Sequence, residues 1–153
     1  MTNGLRAILF DDDALVRGVV SQICRRRGYD VVEFEDGNSF CENIPDCPCD
    51  NEKRCADVLI SDIKMPGVTG IQLLDKLLKR QCAVPYMGLM SGYWTPETLE
   101  YATAKGFRVF RKPVGIWEID KWLMECEQGL SAENRELVNC YAEADEQFSE
   151  CMS

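Results

Sequence analysis

Three consecutive acids, Asp11, Asp12 and Asp13, end the apolar run 5–10, and a single acid, Asp62, ends a second apolar run. Just beyond Asp62 comes Lys64-Met65-Pro66-Gly67. Ser91 closes a third run, and Lys112-Pro113 follows a fourth. Each of these polar groups falls where a buried strand is expected to stop. In a parallel α/β sheet the carboxyl ends of the strands share one edge, and ligands bind there. Carboxylates, a hydroxyl and an ammonium that are far apart in the sequence would therefore meet at one spot. One carboxylate with two acidic neighbours, a hydroxyl and a lysine is a side-chain set suited to phosphoryl transfer, in which charge on the moving oxygens must be neutralised.

The elements that must position these groups are legible from periodicity. Residues 5–10, 30–34, 57–61, 85–90 and 107–111 read as strands. Residues 14–27 carry Leu15, Val16, Val19, Val20 and Ile23 at helical spacing, and Gly28 ends that helix. A second helix is expected from Asp36-Gly37 to about residue 43. Residues 70–79 are amphipathic through Ile71, Leu73, Leu74, Leu77 and Leu78. Residues 95–105 open with Thr95-Pro96-Glu97, an N-cap followed by proline at the first helical position. Residues 116–128 and 131–151 read as two further helices. Alternating strands and helices predict an α/β fold: a flavodoxin-like five-stranded parallel sheet of order 2-1-3-4-5, helices on both faces, and a C-terminal helix.

Any one of the four strand-end signals is weak. Together they are specific: an acidic cluster after the first strand, Asp-x-x-Met-Pro-Gly after the third, a small hydroxyl after the fourth, and Lys-Pro after the fifth. On these motifs, residues 5–128 resemble the receiver domain of two-component response regulators. The division expected is a receiver domain over 1–129, with a Cys-rich insertion at about 41–55, and an acidic helical extension over 130–153. The resemblance implies that Asp62 accepts a phosphoryl group from the phosphohistidine of a sensor histidine kinase or a phosphotransfer protein. It also implies Mg²⁺ held by Asp11, Asp12, Asp62 and the backbone carbonyl of Lys64. Lys112 would stabilise charge on the transferring oxygens, and Ser91 would hydrogen-bond one of them. The output would be a switched contact with a downstream protein. A carboxylate can serve as a covalent nucleophile and form an acyl phosphate. The chain would then be no turnover enzyme, only a domain that phosphorylates and dephosphorylates itself at Asp62. Lys64 and Tyr93 occupy the positions that flank the attacking water in this family, so they are expected to tune the lifetime of the acyl phosphate.

Taken singly, Asp11–Asp13 could cap a helix, Asp62 could be a turn residue and Lys112 a solvated lysine. Asp13 suits the cap in any case. An Asp-x-Asp nucleophile of the haloacid-dehalogenase type fits Asp11-Asp12-Asp13 but leaves Asp62-x-x-Met65-Pro66 and Lys112-Pro113 unexplained. Three features depart from the receiver pattern. Val109 stands three residues before Lys112, where receivers often carry Tyr or Phe, so the usual aromatic switch residue is missing, leaving either Phe107 or Phe110 as a substitute or an output through the Ser91 loop and the fourth helix alone. Cysteines crowd one stretch: Cys41, Cys47, Cys49 and Cys55, with Cys82 following a later helix. Helix-to-strand connections share the sheet edge opposite Asp62, so Cys47, Cys49, Cys55 and Cys82 are expected to converge there. Four thiolates would suit Zn²⁺ or an iron–sulfur cluster, against the plainer reading of buried thiols. The competing functional class is thus a cysteine-based metal or redox sensor on a receiver scaffold. Finally, the acidic stretch 131–153 is too short for an ordinary output domain, and its stripe Leu137, Val138, Tyr141, Ala144 and Phe148 reads as a packing face.

Composition excludes other classes. The 17 basic against 26 acidic residues give a net charge of −9, which disfavours DNA binding. Arg25-Arg26-Arg27 suits a helix C-terminus instead. With no histidine, the chain has no imidazole for acid–base work, metal ligation or phosphorylation. No apolar stretch has membrane-spanning length, the first residues lack a signal-peptide core, and nine cysteines fit reduced thiols or metal ligands, so a cytoplasmic location is expected.

Overall fold

The computed structural model describes residues 4–37, 49, 53–130 and 136–137. The elements follow as β1 (Arg6–Phe10), α1 (Ala14–Arg26), β2 (Asp30–Phe34), β3 (Lys53–Arg54), β4 (Val58–Asp62), α2 (Gly70–Lys79), β5 (Tyr86–Ser91), α3 (Pro96–Ala104), β6 (Arg108–Arg111), α4 (Ile116–Leu130) and β7 (Glu136–Leu137). Five strands form one sheet in the order β2-β1-β4-β5-β6, every pair parallel. In sequence rank within that sheet, this is the expected 2-1-3-4-5.

Side chains alternate across a strand, so one strand feeds two cores. In β1, Ile8 and Phe10 join Leu59, Leu74 and Leu89 on one face, while Ala7 and Leu9 join Ile60, Met90, Ile119 and Leu123 on the other. Every residue of β4 is buried, as befits the central strand.

The helix starts follow their sequence signals. The Asp13 carboxylate accepts from the Leu15 and Val16 N–H groups and caps α1. Thr69 and Gln72 form a reciprocal capping box at α2. Thr95 and Thr98 do the same at α3, with Pro96 in the first turn.

Two expectations need correction or placing. Within the stretch expected as a sixth helix, the described Glu136–Leu137 are extended and pair in parallel with Lys53–Arg54. The apolar stripe there had masked a strand of only two residues, fixed by a partner more than eighty positions away. Beyond its first two positions, the helix expected to about residue 43 lies outside the described residues, as do Cys41, Cys47 and the rest of 131–153.

Candidate functional site

The ladder continues one residue past the strands and brings the polar groups into line. The Asp11 N–H donates to the Phe34 carbonyl at 3.1 Å, Ile63 N–H to the Met90 carbonyl at 2.9 Å, and Lys112 N–H to the Ser91 carbonyl at 2.8 Å. Asp11, Asp62, Ser91 and Lys112 thus stand at the carboxyl ends of β1, β4, β5 and β6. The Lys112–Pro113 peptide is cis.

Lys112 joins the two buried carboxylates. Its Nζ donates to Asp11 Oδ2 at 3.0 Å and lies 3.2 Å from Asp62 Oδ2. Asp11 is buried, and its second oxygen accepts from the Asp13 N–H at 2.9 Å. Asp62 is buried as well, whereas Asp12 is exposed. One carboxylate oxygen from each of Asp11, Asp12 and Asp62 falls within 4.8 Å of the others.

The electrostatics follow from this packing. Burial pushes the Asp62 carboxyl above the usual carboxylate range, and the Asp11 charge adds to that; Lys112 and the Lys64 N–H pull the other way without prevailing. For Lys112, burial opposes the charged form, but the Asp11 hydrogen bond and the Asp62 charge outweigh it, so its pKa rises. The ammonium stays charged at neutral pH between two acids that it does not fully neutralise.

All the candidate metal ligands here are oxygens, with one exposed carboxylate left for solvent-side access. That set suits Mg²⁺, a hard cation that takes oxygen donors and keeps several waters. Lys64 is exposed, and its N–H rather than its carbonyl is the group acting on Asp62 here.

Ser91 is engaged elsewhere. Its Oγ donates to the Tyr93 carbonyl at 2.9 Å and accepts from the Tyr93 N–H at 3.1 Å. Tyr93 itself is 79% exposed. Val109 is half-buried. Phe107 and Phe110 are both buried, and Phe110 packs edge-on against Trp122 with ring centres 5.4 Å apart.

Two supporting residues escaped the sequence reading. Trp94 is buried, and its Nε1 donates to the Phe110 carbonyl at 3.0 Å, pinning the loop after Ser91 to β6. Gly70 begins α2 against the end of β4, where a Cβ would run into the Asp62 carbonyl. Its N–H donates to the Ile63 carbonyl at 2.9 Å. A glycine opening an amphipathic run is the signal that could have revealed this close approach.

At the opposite edge, one ligand atom from each of Cys49, Cys55 and Cys82 falls within 4.8 Å of the others. Cys47 lies outside the described residues.

A family model described as the response regulator receiver domain matches residues 7–123. Over 113 residues the chain is 32% identical to the DNA-binding transcriptional regulator NtrC of Klebsiella pneumoniae, covering 73% of this chain and 22% of that protein. Over 93 residues it is 28% identical to the transcriptional regulatory protein FixJ of Bradyrhizobium diazoefficiens, covering 61% of this chain and 42% of that protein. The chain thus spans less than half the length of these curated relatives. Among solved structures, the signal receiver domain of the putative response regulator NarL from Mycobacterium tuberculosis superposes with a TM-score of 0.64 at 26% identity, covering 82% of this chain and 97% of that one. A Francisella response regulator receiver domain gives 0.66 at 22% identity over 82% and 98%; this likeness shows the fold.

Proposed function

Because the chain belongs to the response regulator receiver family, we propose that it takes a phosphoryl group on Asp62 from the phosphohistidine of a sensor histidine kinase or phosphotransfer protein and signals by a changed protein contact. The observation that carries this reading is the Lys112 ammonium held between Asp11 and Asp62 at the carboxyl edge of the sheet.

In the reaction an Asp62 oxygen attacks phosphorus, an O–P bond forms, and the P–N bond to the donor imidazole breaks. The electron pair of that bond returns to the imidazole nitrogen. Each residue has a part in this. Burial between β1 and β5 fixes the Asp62 carboxylate so that little orientation remains to be lost. Lys112 sits within reach of an oxygen attached to Asp62 and supplies positive charge where negative charge accumulates. The Ser91 hydroxyl has one hydrogen, now given to the Tyr93 carbonyl, and it must be redirected to meet a phosphoryl oxygen. Mg²⁺, held by Asp11, Asp12, Asp62 and the Lys64 carbonyl, would supply further neutralisation of the transferring oxygens. The acyl phosphate is later lost to water, with Lys64 and Tyr93 flanking the approach, so the chain turns over only its own phosphoryl group.

We place this activity in the cytoplasm. Among the described residues, no helix is long and apolar enough to cross a membrane. The net charge of −9 speaks against DNA binding by this chain. The family match favours the phosphoacceptor over the cysteine-sensor alternative. The test is labelling by acetyl phosphate with Mg²⁺, read by intact mass. Wild type should gain one phosphoryl group and Asp62→Asn none; equal labelling of the variant would remove the assignment.

A further inference from the structure

We propose that Cys49, Cys55 and Cys82 form a Zn²⁺ site at the amino-terminal edge of the sheet, opposite Asp62. Cys55 lies three residues before β4, Cys82 four residues before β5, and Cys49 in the connection ahead of β3. Cys55 lies seven positions before Asp62, most of that span in β4, or roughly 20 Å of extended chain. The two sites therefore share a strand and no ligands.

The sulfur geometry fits the metal. Zinc binds thiolates at about 2.3 Å in tetrahedral array, so neighbouring sulfurs are separated by roughly 3.8 Å. The Cys55 and Cys82 Sγ atoms are 3.8 Å apart. With Cys49 included, the three sulfurs lie within 4.8 Å of one another. The fourth tetrahedral position falls to a donor outside this triad. Soft thiolates select zinc and reject Mg²⁺, the reverse of the carboxylate site. Binding forms Zn–S bonds and releases thiol protons to solvent; no electron is transferred.

Three further observations point to a ligand-holding arrangement. The Cys55 N–H donates to the Cys49 sulfur at 3.2 Å, a backbone bond that orients that sulfur beside the other two. The Cys55 segment is held on several sides. Arg6 Nη1 donates to the Cys55 carbonyl at 3.3 Å, and fully buried Asp57 accepts from Arg6 N–H and Arg54 Nε. The β3–β7 pairing of Lys53–Arg54 with Glu136–Leu137 ends on the residue before Cys55. Lastly, Gln81, which delivers Cys82 from α2, sits at φ 60°, a region that non-glycine residues seldom enter. Cys55 and Cys82 belong to the same buried apolar cluster as Ala56, Leu77, Val84 and Met87, with Cys49 packed against it. A metal joining three separate connections closes loops in the folded state and returns its binding energy as stability.

The experiment is metal analysis of the whole chain, expressed with zinc and purified under reducing conditions, then titration of the metal-free protein with Co²⁺. The wild type should hold about one zinc per chain and, with Co²⁺, show sulfur-to-cobalt charge-transfer and tetrahedral d–d bands. A zinc chelator added in excess Mg²⁺ should lower the melting temperature. Cys49→Ser, at a partly exposed position, should keep its circular dichroism, lose the zinc and the cobalt bands, and still label at Asp62. Cys126→Ala, a buried cysteine in the other core, should keep the metal. Wild type that is free of zinc and gives no thiolate–cobalt bands would overturn the proposal in favour of packed thiols. Bound iron in place of zinc would overturn the choice of metal.

Discussion

Replacing Lys112 with Met keeps most of the unbranched side chain and removes its charge, which isolates what the ammonium does between two buried acids. Its Nζ is 3.0 Å from Asp11 Oδ2 and 3.2 Å from Asp62 Oδ2. At an effective dielectric of about 20, each such pair carries roughly 5 kcal/mol of gross attraction. Much of that offsets the desolvation of the charges, and the Lys112 side chain remains 20% exposed. Removing one partner from a fully buried pair costs about 3–5 kcal/mol, so about 2–3 kcal/mol is expected for Lys112→Met at neutral pH after allowing for that exposure. The cost should shrink toward mildly acidic pH, because Asp62 already titrates above its ordinary range and takes a proton more readily once the cation is gone. It should shrink also in an Asp62→Asn background, where only one carboxylate is left facing the methionine. Urea unfolding of wild type, both single variants and the double variant gives this coupling as a cycle, with about 1–2 kcal/mol expected between Lys112 and Asp62. Mg²⁺ should stabilise Lys112→Met at least as much as wild type. An equal cost of Lys112→Met in both backgrounds, at every pH, would refute the reasoning and leave Lys112 a packing residue.

Asp62→Asn alone should raise stability at neutral pH. Its folded pKa is raised, so the native state binds the proton more tightly, and stability falls as pH climbs from the ordinary carboxylate value through the raised one; a stability–pH curve for the variant that lacks this fall relative to wild type is the check. Mg²⁺ at ten times its dissociation constant should stabilise wild type by about 1.4 kcal/mol. Asp12→Ala should lose most of that thermal shift together with Mg²⁺-dependent labelling, and an unchanged shift would mean that Asp12 is no ligand. Gly70→Ala should destabilise by about 1–3 kcal/mol and depress labelling, since the added Cβ meets the Asp62 carbonyl; unfolding and labelling rate are read on the same sample, and wild-type values in both would show that the α2 start yields freely.

The fold and the polar cluster at the carboxyl edge were legible for one reason: their signals are local. Apolar runs mark strands, and a polar residue at the end of a run in a parallel sheet has nowhere to go but the shared edge. Asp11, Asp62, Ser91 and Lys112 could therefore be placed before any contact was known. The convergence of Cys49, Cys55 and Cys82 followed from the same topology, read at the other edge. What could not be read depends on backbone detail. The Ser91 hydroxyl turns to Tyr93 because of the path of two loop residues. Trp94 reads as one more apolar residue until its N–H is seen to meet the Phe110 carbonyl. The β3–β7 pairing joins two-residue segments with no periodicity to detect.

The charge balance at the carboxyl edge explains why one strand end would keep an arrangement that works against stability. Two buried carboxylates share one ammonium, with the exposed Asp12 carboxylate beside them, so negative charge is in excess, and an apolar cluster of the same shape would fold more stably. A phosphoryl group on Asp62 makes the balance worse, because the dianionic acyl phosphate replaces a carboxylate that carried a single charge. Lys112 alone cannot meet that demand, and no histidine or second lysine is paired with Asp62 among the described residues. A site built this way stays reluctant to accept an anion until a divalent cation has joined it. In the proposed function, the excess negative charge of the resting site is the counterpart of the Mg²⁺ it would take up. The Ser91 hydrogen rests on the neutral Tyr93 carbonyl, and a phosphoryl anion on Asp62 would compete with that carbonyl for it. If Asp62 is phosphorylated as proposed, the first consequence expected in the chain is release of the Tyr93 carbonyl. Trp94 is anchored to β6 immediately afterwards, so such a rearrangement would be confined at its start to Gly92 and the exposed Tyr93.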